Sequence, residues 1–205
     1  MRRILLLVVA VSLVSFAPVA IAEPSSAVGA RTRAIITFNK DAEHPHRSTL
    51  VWRVQKRGAG GVWSTVERES WRAGSGFEGR LATNECAKGK GWLPNGKYSV
   101  IQYDDYWGQL IKGRAFYLGN KRCRNGTLRT ELFIHTETGS GNKQCRNARG
   151  DQICRWEYPA VNDYKSYGCI KMSPHDLRAL VRRYHEYFRA GVRYGTAKVK
   201  VRVIA

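Results

Sequence analysis

The feature that most constrains the fold is a succession of short strand-like segments separated by turns. The clearest, residues 50–55, has the sequence LVWRVQ, in which apolar and polar residues alternate. Alternation with a period of two is typical of a strand with one buried face. Glycine-rich turns separate the segments. The segments predicted to be strands are 33–38, 49–55, 62–68, 98–103, 111–118, 128–135 and 197–204. We therefore predict one mainly-β, mostly antiparallel domain.

One stretch breaks this pattern and is predicted to be a helix. Ser173 is a favourable N-cap, Pro174 suits the first helical position, and Asp176 completes a pattern similar to a capping box. Apolar residues then recur at helical spacing, at Leu177, Leu180, Val181, Tyr184 and Phe188. The helix is expected to pack this stripe on the sheet and to brace the turn that contains Cys169.

Residues 1–22 have the pattern of a secretory signal peptide: a basic start, an apolar run, and a small-x-small cleavage site ending at Ala22. A membrane anchor is the competing interpretation, because the run nearly reaches the length that spans a bilayer. Polar residues within the run, and the lack of a basic stop after it, favour cleavage. We expect a signal peptide over 1–22, a flexible leader over 23–32 and one domain over 33–205. The location would then be extracytoplasmic, without a stable membrane anchor.

The chain is strongly basic, with a net charge of +19. Removing residues 1–22 takes away Arg2 and Arg3 but no acidic residue, which leaves +17. Such a field attracts polyanions, and for an exported protein we expect anionic cell-wall polymers. Nucleic acid would be the usual partner inside a cell, so export argues against it. Solubility alone is the alternative explanation of the charge.

Five cysteines in an exported chain predict disulfides and one cysteine left over. Cys169 is the natural candidate to remain free. The other four allow three pairings, of which proximity favours Cys145–Cys154, leaving Cys86–Cys123. The shorter bridge would stabilise the fold by a little under ~3 kcal/mol. Zinc is the alternative use of cysteines, but the chain has no Cys-x-x-Cys pair, so we predict no metal and no cofactor.

Two short stretches have the residue types of a cysteine-dependent active site. His135 ends an apolar run predicted to be a buried strand, which would hold its ring in a fixed direction. Cys169 follows Gly168 in a turn of small residues. An imidazole within hydrogen-bond reach is the usual means of holding cysteine as a thiolate nucleophile. The backbone at a glycine can also converge its N–H groups on an oxyanion.

Three ordered motifs resemble the L,D-transpeptidase catalytic domain family, the cysteine enzymes that cross-link peptidoglycan. They are LPNGKYSV at 93–100, the strand that ends at His135, and SYGCIKM at 166–172. The resemblance spans roughly residues 91–184. It implies that the domain at 33–205 is a catalytic β-sandwich or barrel. The chain departs from the family at Tyr167, where many members have a second histidine, and in the 34 positions between histidine and cysteine, a longer insert than in most members.

The resemblance implies catalytic roles for four residues. Cys169, as a thiolate, would be the nucleophile that forms a thioester with a peptidoglycan stem peptide, and His135 the general base and acid. The backbone carbonyl of Thr136 would orient the imidazole, and the Gly168 N–H would meet the oxyanion. His175, at the predicted helix start, is the fallback base.

Three more residues of the SYGCIKM motif are predicted to contact substrate. Lys171 takes a position where many members carry arginine or asparagine, and would pair with a substrate carboxylate. Tyr167 and Ser166 border the same turn, and Ser166 is also expected to stabilise it. A surface position is the alternative for Lys171.

The function predicted from these features is that of an exported cysteine acyltransferase acting on peptidoglycan stems. An L,D-carboxypeptidase or a wall-targeting toxin would use the same site. A papain-like endopeptidase is disfavoured, because such enzymes place cysteine before histidine in the chain. The alternative outside enzymes is a cationic cell-wall-binding protein in which Cys169 is merely unpaired. The sequence carries no signal for an oligomeric state.

Overall fold

A computed structural model describes residues 31–146, 150–189, 192 and 194–205. The predicted signal peptide and residues 23–30 of the predicted leader lie outside this part. Within these residues, nine strands form one sheet: β1 (Thr32–Asn39), β2 (Ser48–Arg57), β3 (Trp63–Gly74), β4 (Gly96–Ser99), β5 (Gln102–Trp107), β6 (Lys112–Arg122), β7 (Leu128–His135), β8 (Ile170–Met172) and β9 (Val199–Ile204). The same described ranges contain one α-helix, α1, which spans Pro174–Phe188. The predicted mainly-β domain with one helix is confirmed.

The strands follow the order β4-β9-β1-β2-β3-β8-β7-β6-β5. Pairing is antiparallel except between β1 and β9 and between β7 and β8, which are parallel. The two edge strands, β4 and β5, are separated in the chain by only Val100 and Ile101. The Ile101 N–H donates to the Tyr117 carbonyl at 2.8 Å, which joins this connection to β6. The two edges of the sheet therefore meet, and the sheet curls around one core.

The core follows directly from the alternation in the sequence. In β1, alternate residues such as Ile36 and Phe38 are buried, and in β2 so are Leu50 and Trp52. Ile36 lies opposite Trp52 in the antiparallel register. Because side chains alternate between the faces of a strand, this register puts both apolar sets on the same side of the sheet.

Helix α1 covers that core and begins as predicted. The Asp176 N–H donates to the Ser173 hydroxyl at 3.1 Å, which satisfies one of the free amides of the first turn. The apolar stripe is buried, and Phe188 packs edge-on against Trp52 at 6.1 Å between ring centroids. No helix within the described residues is long and apolar enough to cross a membrane.

The strand boundaries differ from the sequence prediction in two informative places. The predicted strand 98–103 is divided into β4 and β5, because the chain passes from one sheet edge to the other there. Strand β8 was not predicted, since three residues, Ile170–Met172, are too short to show a period. Both differences concern pairing partners that are distant in sequence.

The structure has two disulfides, Cys86–Cys123 and Cys145–Cys154, which are the pairs that proximity favoured. The first joins the loop before β4 to the turn that follows β6. The second closes a short loop within the β7–β8 connection (residues 136–169). Cys169 is free.

Candidate active site

Strands β7 and β8 bring His135 and Cys169 together. Their parallel register sets Ile134 opposite Ile170 and His135 opposite Lys171, and both isoleucines are in the core. Residues next to a core residue in a strand face the other way. His135 and Lys171 therefore share the face opposite the core, and Cys169 is the residue directly before β8, two positions before Lys171.

His135 is buried, and its ring orientation is fixed. Its Nδ1 lies 3.0 Å from the backbone carbonyl oxygen of Thr136. A carbonyl only accepts, so Nδ1 carries the proton and donates it, which leaves the Nε2 lone pair available. The pKa of His135 is lowered to about 3, mainly by burial and also by the nearby Lys171 charge, while the bond to Thr136 acts in the opposite direction. The imidazole is therefore neutral and has the tautomer that a general base needs.

The Cys169 thiol is also neutral in this structure. Its side chain is partly exposed, and Sγ donates to the Glu131 carbonyl at 3.5 Å. Burial of the sulfur raises the pKa of Cys169 to about 11, although the Phe133 amide and the charges of Lys171 and Arg129 act in the opposite direction. This corrects the expectation of a preformed thiolate. Desolvation of the sulfur outweighs the nearby positive charges.

The pH dependence of alkylation tests this state. Because the pKa of Cys169 is raised to about 11, the thiolate fraction is small at neutral pH and grows about tenfold with each pH unit. We expect the rate of alkylation by iodoacetamide to rise without a plateau from pH 7 to pH 10. Cys169→Ser should not be alkylated, because the other four cysteines are bridged. A plateau of the alkylation rate below pH 8 would contradict the raised pKa of Cys169.

Glu131, the acceptor of the thiol, has an unusual backbone conformation. Its φ is 54°, in the left-handed region that residues other than glycine rarely adopt. The Asn120 side-chain oxygen accepts the Glu131 N–H at 3.0 Å, and the pairing of β6 with β7 shifts register nearby. This local strain directs the Glu131 carbonyl to Cys169. Sequence reasoning missed it, because glutamate carries no signal for this conformation.

Arg129 is a second feature that the sequence did not reveal. It is buried on β7, and its guanidinium donates to the carbonyls of Glu85, Gly91, Trp92 and Tyr167 at 2.5–3.3 Å. Burial lowers the pKa of this arginine, though the side chain keeps its charge. The four bonds tie the turn before Cys169 to the loop before β4. In the sequence, Arg129 resembles any polar residue of an alternating strand.

Gly168 is required for this turn by its conformation and by space. Its φ is 121°, and a Cβ there would lie 2.2 Å from Nη2 of Arg129. Its N–H donates to the Ser166 hydroxyl at 3.3 Å. The Gly168 amide expected to meet an oxyanion is thus occupied in this state, and the Cys169 amide is the neighbouring donor in the same turn.

Gly168→Ala is expected to cost about 1–3 kcal/mol in stability and to lower activity by about 10²-fold. The added methyl must displace the Arg129 guanidinium, and with it the turn that holds the nucleophile. Thermal unfolding and turnover would measure the two effects. Gly126→Ala is the matched control, because Gly126 also has a positive φ, 85°, but nothing lies within 4 Å of its Cβ position. Equal activity losses in the two variants would contradict this role of Gly168.

Ser166 stabilises the turn from inside. It is buried, and its hydroxyl donates to the Cys169 carbonyl at 2.6 Å while accepting from Gly168. Both contacts of the hydroxyl are within the turn, as its expected stabilising role requires, and its contact with substrate stays a prediction. Tyr167 is 57% exposed and stacks on Phe77 at 5.0 Å between ring centroids. Tyr167 therefore presents an aromatic surface beside Cys169.

Lys171 is not a surface cation. It is buried and forms an ion pair with Glu137, which is also buried. Burial and, to a smaller extent, the neighbouring Asp163 carboxyl raise the pKa of Glu137 to about 7, against the opposing effect of Lys171. The predicted pairing of Lys171 with a substrate carboxylate is thus replaced by an internal pair. His175, the fallback base, is exposed on the first turn of α1, with Nδ1 3.1 Å from the Asp176 carboxylate.

Comparison with known proteins gives one structural likeness. No protein-family model matches the chain, and no curated protein does. Among solved structures, the helical cell shape determining protein Pgp2 from Campylobacter jejuni is similar, with a TM-score of 0.40 and 16% sequence identity. The likeness covers 84% of this chain and 48% of that protein, so the chain spans about half the length of the protein it matches.

Proposed function

We propose that this protein is an exported cysteine acyltransferase that acts on peptidoglycan stem peptides as an L,D-transpeptidase. The observation that supports the proposal best is the pairing of β7 with β8. It sets His135 opposite Lys171, two positions after Cys169, and Thr136 fixes the histidine tautomer that can accept a proton. The resemblance of the three sequence motifs supplies the substrate class.

The proposed reaction begins with attack of Cys169 Sγ on the carbonyl that precedes the terminal D-residue of a donor stem. Because thiol and imidazole are both neutral at rest, the thiol proton passes to His135 Nε2 as the C–S bond forms. The tetrahedral intermediate then collapses. The C–N bond breaks, the terminal residue leaves as an amine with the proton from His135, and a thioester remains on Cys169.

The thioester is resolved by a second nucleophile. An amine of an acceptor stem gives up a proton to His135 and forms a new amide, which cross-links the two stems. Water in the same position gives hydrolysis, and the protein is then an L,D-carboxypeptidase. In both cases the C–S bond breaks and the proton on His135 returns to the sulfur.

Charge and cysteine usage favour the same location and partners. A net charge of +17 after loss of residues 1–22, which include Arg2 and Arg3 but no acid, favours binding to anionic wall polymers and stem carboxylates. The two disulfides are typical of proteins outside the cytoplasm. We therefore place the protein in the periplasm, the cell wall or the medium, without nucleic acid as a partner.

The direct test is to incubate the protein with purified tetrapeptide stems and to follow products by mass spectrometry. Release of the terminal D-residue together with stem dimers would establish a transpeptidase. Release without dimers would make the protein a carboxypeptidase, with the same thioester. If neither product appears, and a carbapenem leaves no adduct on Cys169, the proposal fails and a cationic wall-binding protein becomes the better account.

A further inference from the structure

Four carboxylates converge beside the candidate active site. Glu137, Asp151, Glu157 and Asp163 each offer an oxygen, and these oxygens all lie within 4.8 Å of one another. All four belong to the β7–β8 connection. Like charges so close together repel strongly unless something of opposite charge lies between them.

Two of these carboxylates are buried and have an oxygen without a partner. Asp163 is 0% exposed, and its Oδ2 accepts the backbone N–H groups of Glu157 and Tyr158. Its Oδ1 is buried without a hydrogen bond. Glu137 is 4% exposed, Lys171 occupies its Oε1, and its Oε2 is likewise buried without a hydrogen bond. A buried carboxylate oxygen is costly unless a proton or a cation meets it.

The net charge of the cluster and its neighbours favours a divalent cation. Lys171 pairs with Glu137, and Lys165 lies 2.7 Å from Asp151. When all four carboxylates are ionised, the two lysines leave two negative charges within the cluster. A divalent ion would neutralise that remainder.

We propose that Glu137, Asp151, Glu157 and Asp163 form a binding site for calcium. Calcium takes oxygen ligands at about 2.3–2.6 Å, so two ligands on opposite sides of one ion lie about 4.8 Å apart. The observed limit of 4.8 Å lets one ion contact all four residues. Magnesium fits less well, because it needs shorter bonds and usually keeps several waters. The cluster contains only oxygen donors, which disfavours zinc and copper.

Calcium in this position would tie the β7–β8 connection to the active-site strand. Glu137 follows His135 by two residues, whereas the other three ligands lie beyond the first cysteine of the Cys145–Cys154 bridge. The ion would therefore join the end of β7 to the part of the connection that the disulfide closes. This site is separate from the proposed acyl transfer and does not depend on it.

The competing occupant of the cluster is a proton. One proton shared by Glu137 and Asp163 would also satisfy their two unpartnered oxygens. A proton needs only two carboxylates, whereas a calcium ion also uses the exposed Asp151. Substitution of Asp151 therefore distinguishes a bound calcium ion from a shared proton.

Isothermal titration of chelator-treated protein with CaCl₂ tests the proposal. We expect one ion per chain with a Kd on the order of 10⁻⁴–10⁻³ M, as in other extracellular calcium sites. At ten times the Kd, calcium should raise the melting temperature by about 3–5 °C. Asp151→Asn should weaken binding at least tenfold. The matched control Glu43→Gln, an exposed acidic residue outside the cluster, should leave binding unchanged.

Three results would overturn the proposal. The first is the absence of both a binding heat and a melting shift with CaCl₂ up to 20 mM. The second is equal calcium affinity in the wild type and in Asp151→Asn, which would place any bound ion elsewhere. The third is tighter binding of MgCl₂ than of CaCl₂. Because Asp151 is exposed, its substitution tests the site without disturbing the buried pair of Glu137 and Lys171.

Discussion

Replacing Cys169 with alanine is expected to lower release of the terminal D-residue and stem cross-linking at least about 10⁴-fold. The thiol is the only group in the proposed reaction that bonds to the substrate carbonyl, so no thioester can form without it. Turnover of tetrapeptide stems measures the loss. Stem binding should change far less than turnover, because the sulfur contributes little contact area.

Cys169→Ser is the conservative companion of this variant. A hydroxyl nearly matches the thiol in size and can donate to the Glu131 carbonyl as Sγ does. It is a much poorer nucleophile beside a neutral imidazole, so this variant should also be inactive while melting within a few degrees of the wild type. Retention of more than a tenth of the activity in either variant would contradict the role of Cys169.

His135→Gln is expected to lower the rate of acylation by about 10²–10⁴-fold, the usual contribution of a general base. The glutamine amide can still donate to the Thr136 carbonyl, which accepts from Nδ1 in the native protein. It has no basic nitrogen to receive the thiol proton. Single-turnover kinetics with stem substrate would measure the acylation step.

The matched control is His175→Gln, because His175 is an exposed histidine on the first turn of α1. Its removal should leave acylation within about twofold of the wild type. The His135 variant should also regain rate as the pH rises, since more of the thiol ionises without a base. A larger loss in the His175 variant than in the His135 variant would reverse the assignment of the base.

Elements with a strong local signal could be predicted from the sequence. Strand β7 was predicted at 128–135, which are its boundaries in the structure, because its apolar residues are continuous up to His135. Helix α1 begins after Ser173, where the capping residues placed it. Both elements are defined by residues close together in the chain.

The details that shape the candidate site depend on contacts between distant residues. Strand β8 exists because it pairs with β7 and β3, not because of its own three residues. Lys171 was expected to pair with a substrate carboxylate or to lie at the surface, but Glu137, 34 positions earlier, pairs with it in the interior. Arg129 likewise depends on carbonyls as far as 44 positions away. A one-dimensional pattern does not show which polar residues will meet.

The raised pKa of the Cys169 thiol also depends on contacts that form only in the folded chain. Motif reasoning placed a histidine near Cys169 and concluded that the cysteine would be a thiolate. The protonation state of the thiol depends on how much water reaches the sulfur, which is a property of the packed structure. Here burial raises the pKa of Cys169 to about 11, despite the nearby charges of Lys171 and Arg129. Proton transfer to His135 therefore belongs to the attack step.

The central claim is that Cys169 forms a thioester with a donor stem. Rapid acid quenching of the protein with tetrapeptide stems, followed by intact-mass analysis and peptide mapping, tests it most directly. We predict a mass increase equal to the stem acyl group without its terminal residue, located on the peptide that contains Cys169 and reversed by hydroxylamine. Product formation without any adduct on Cys169, or an adduct that persists in Cys169→Ala, would contradict the account.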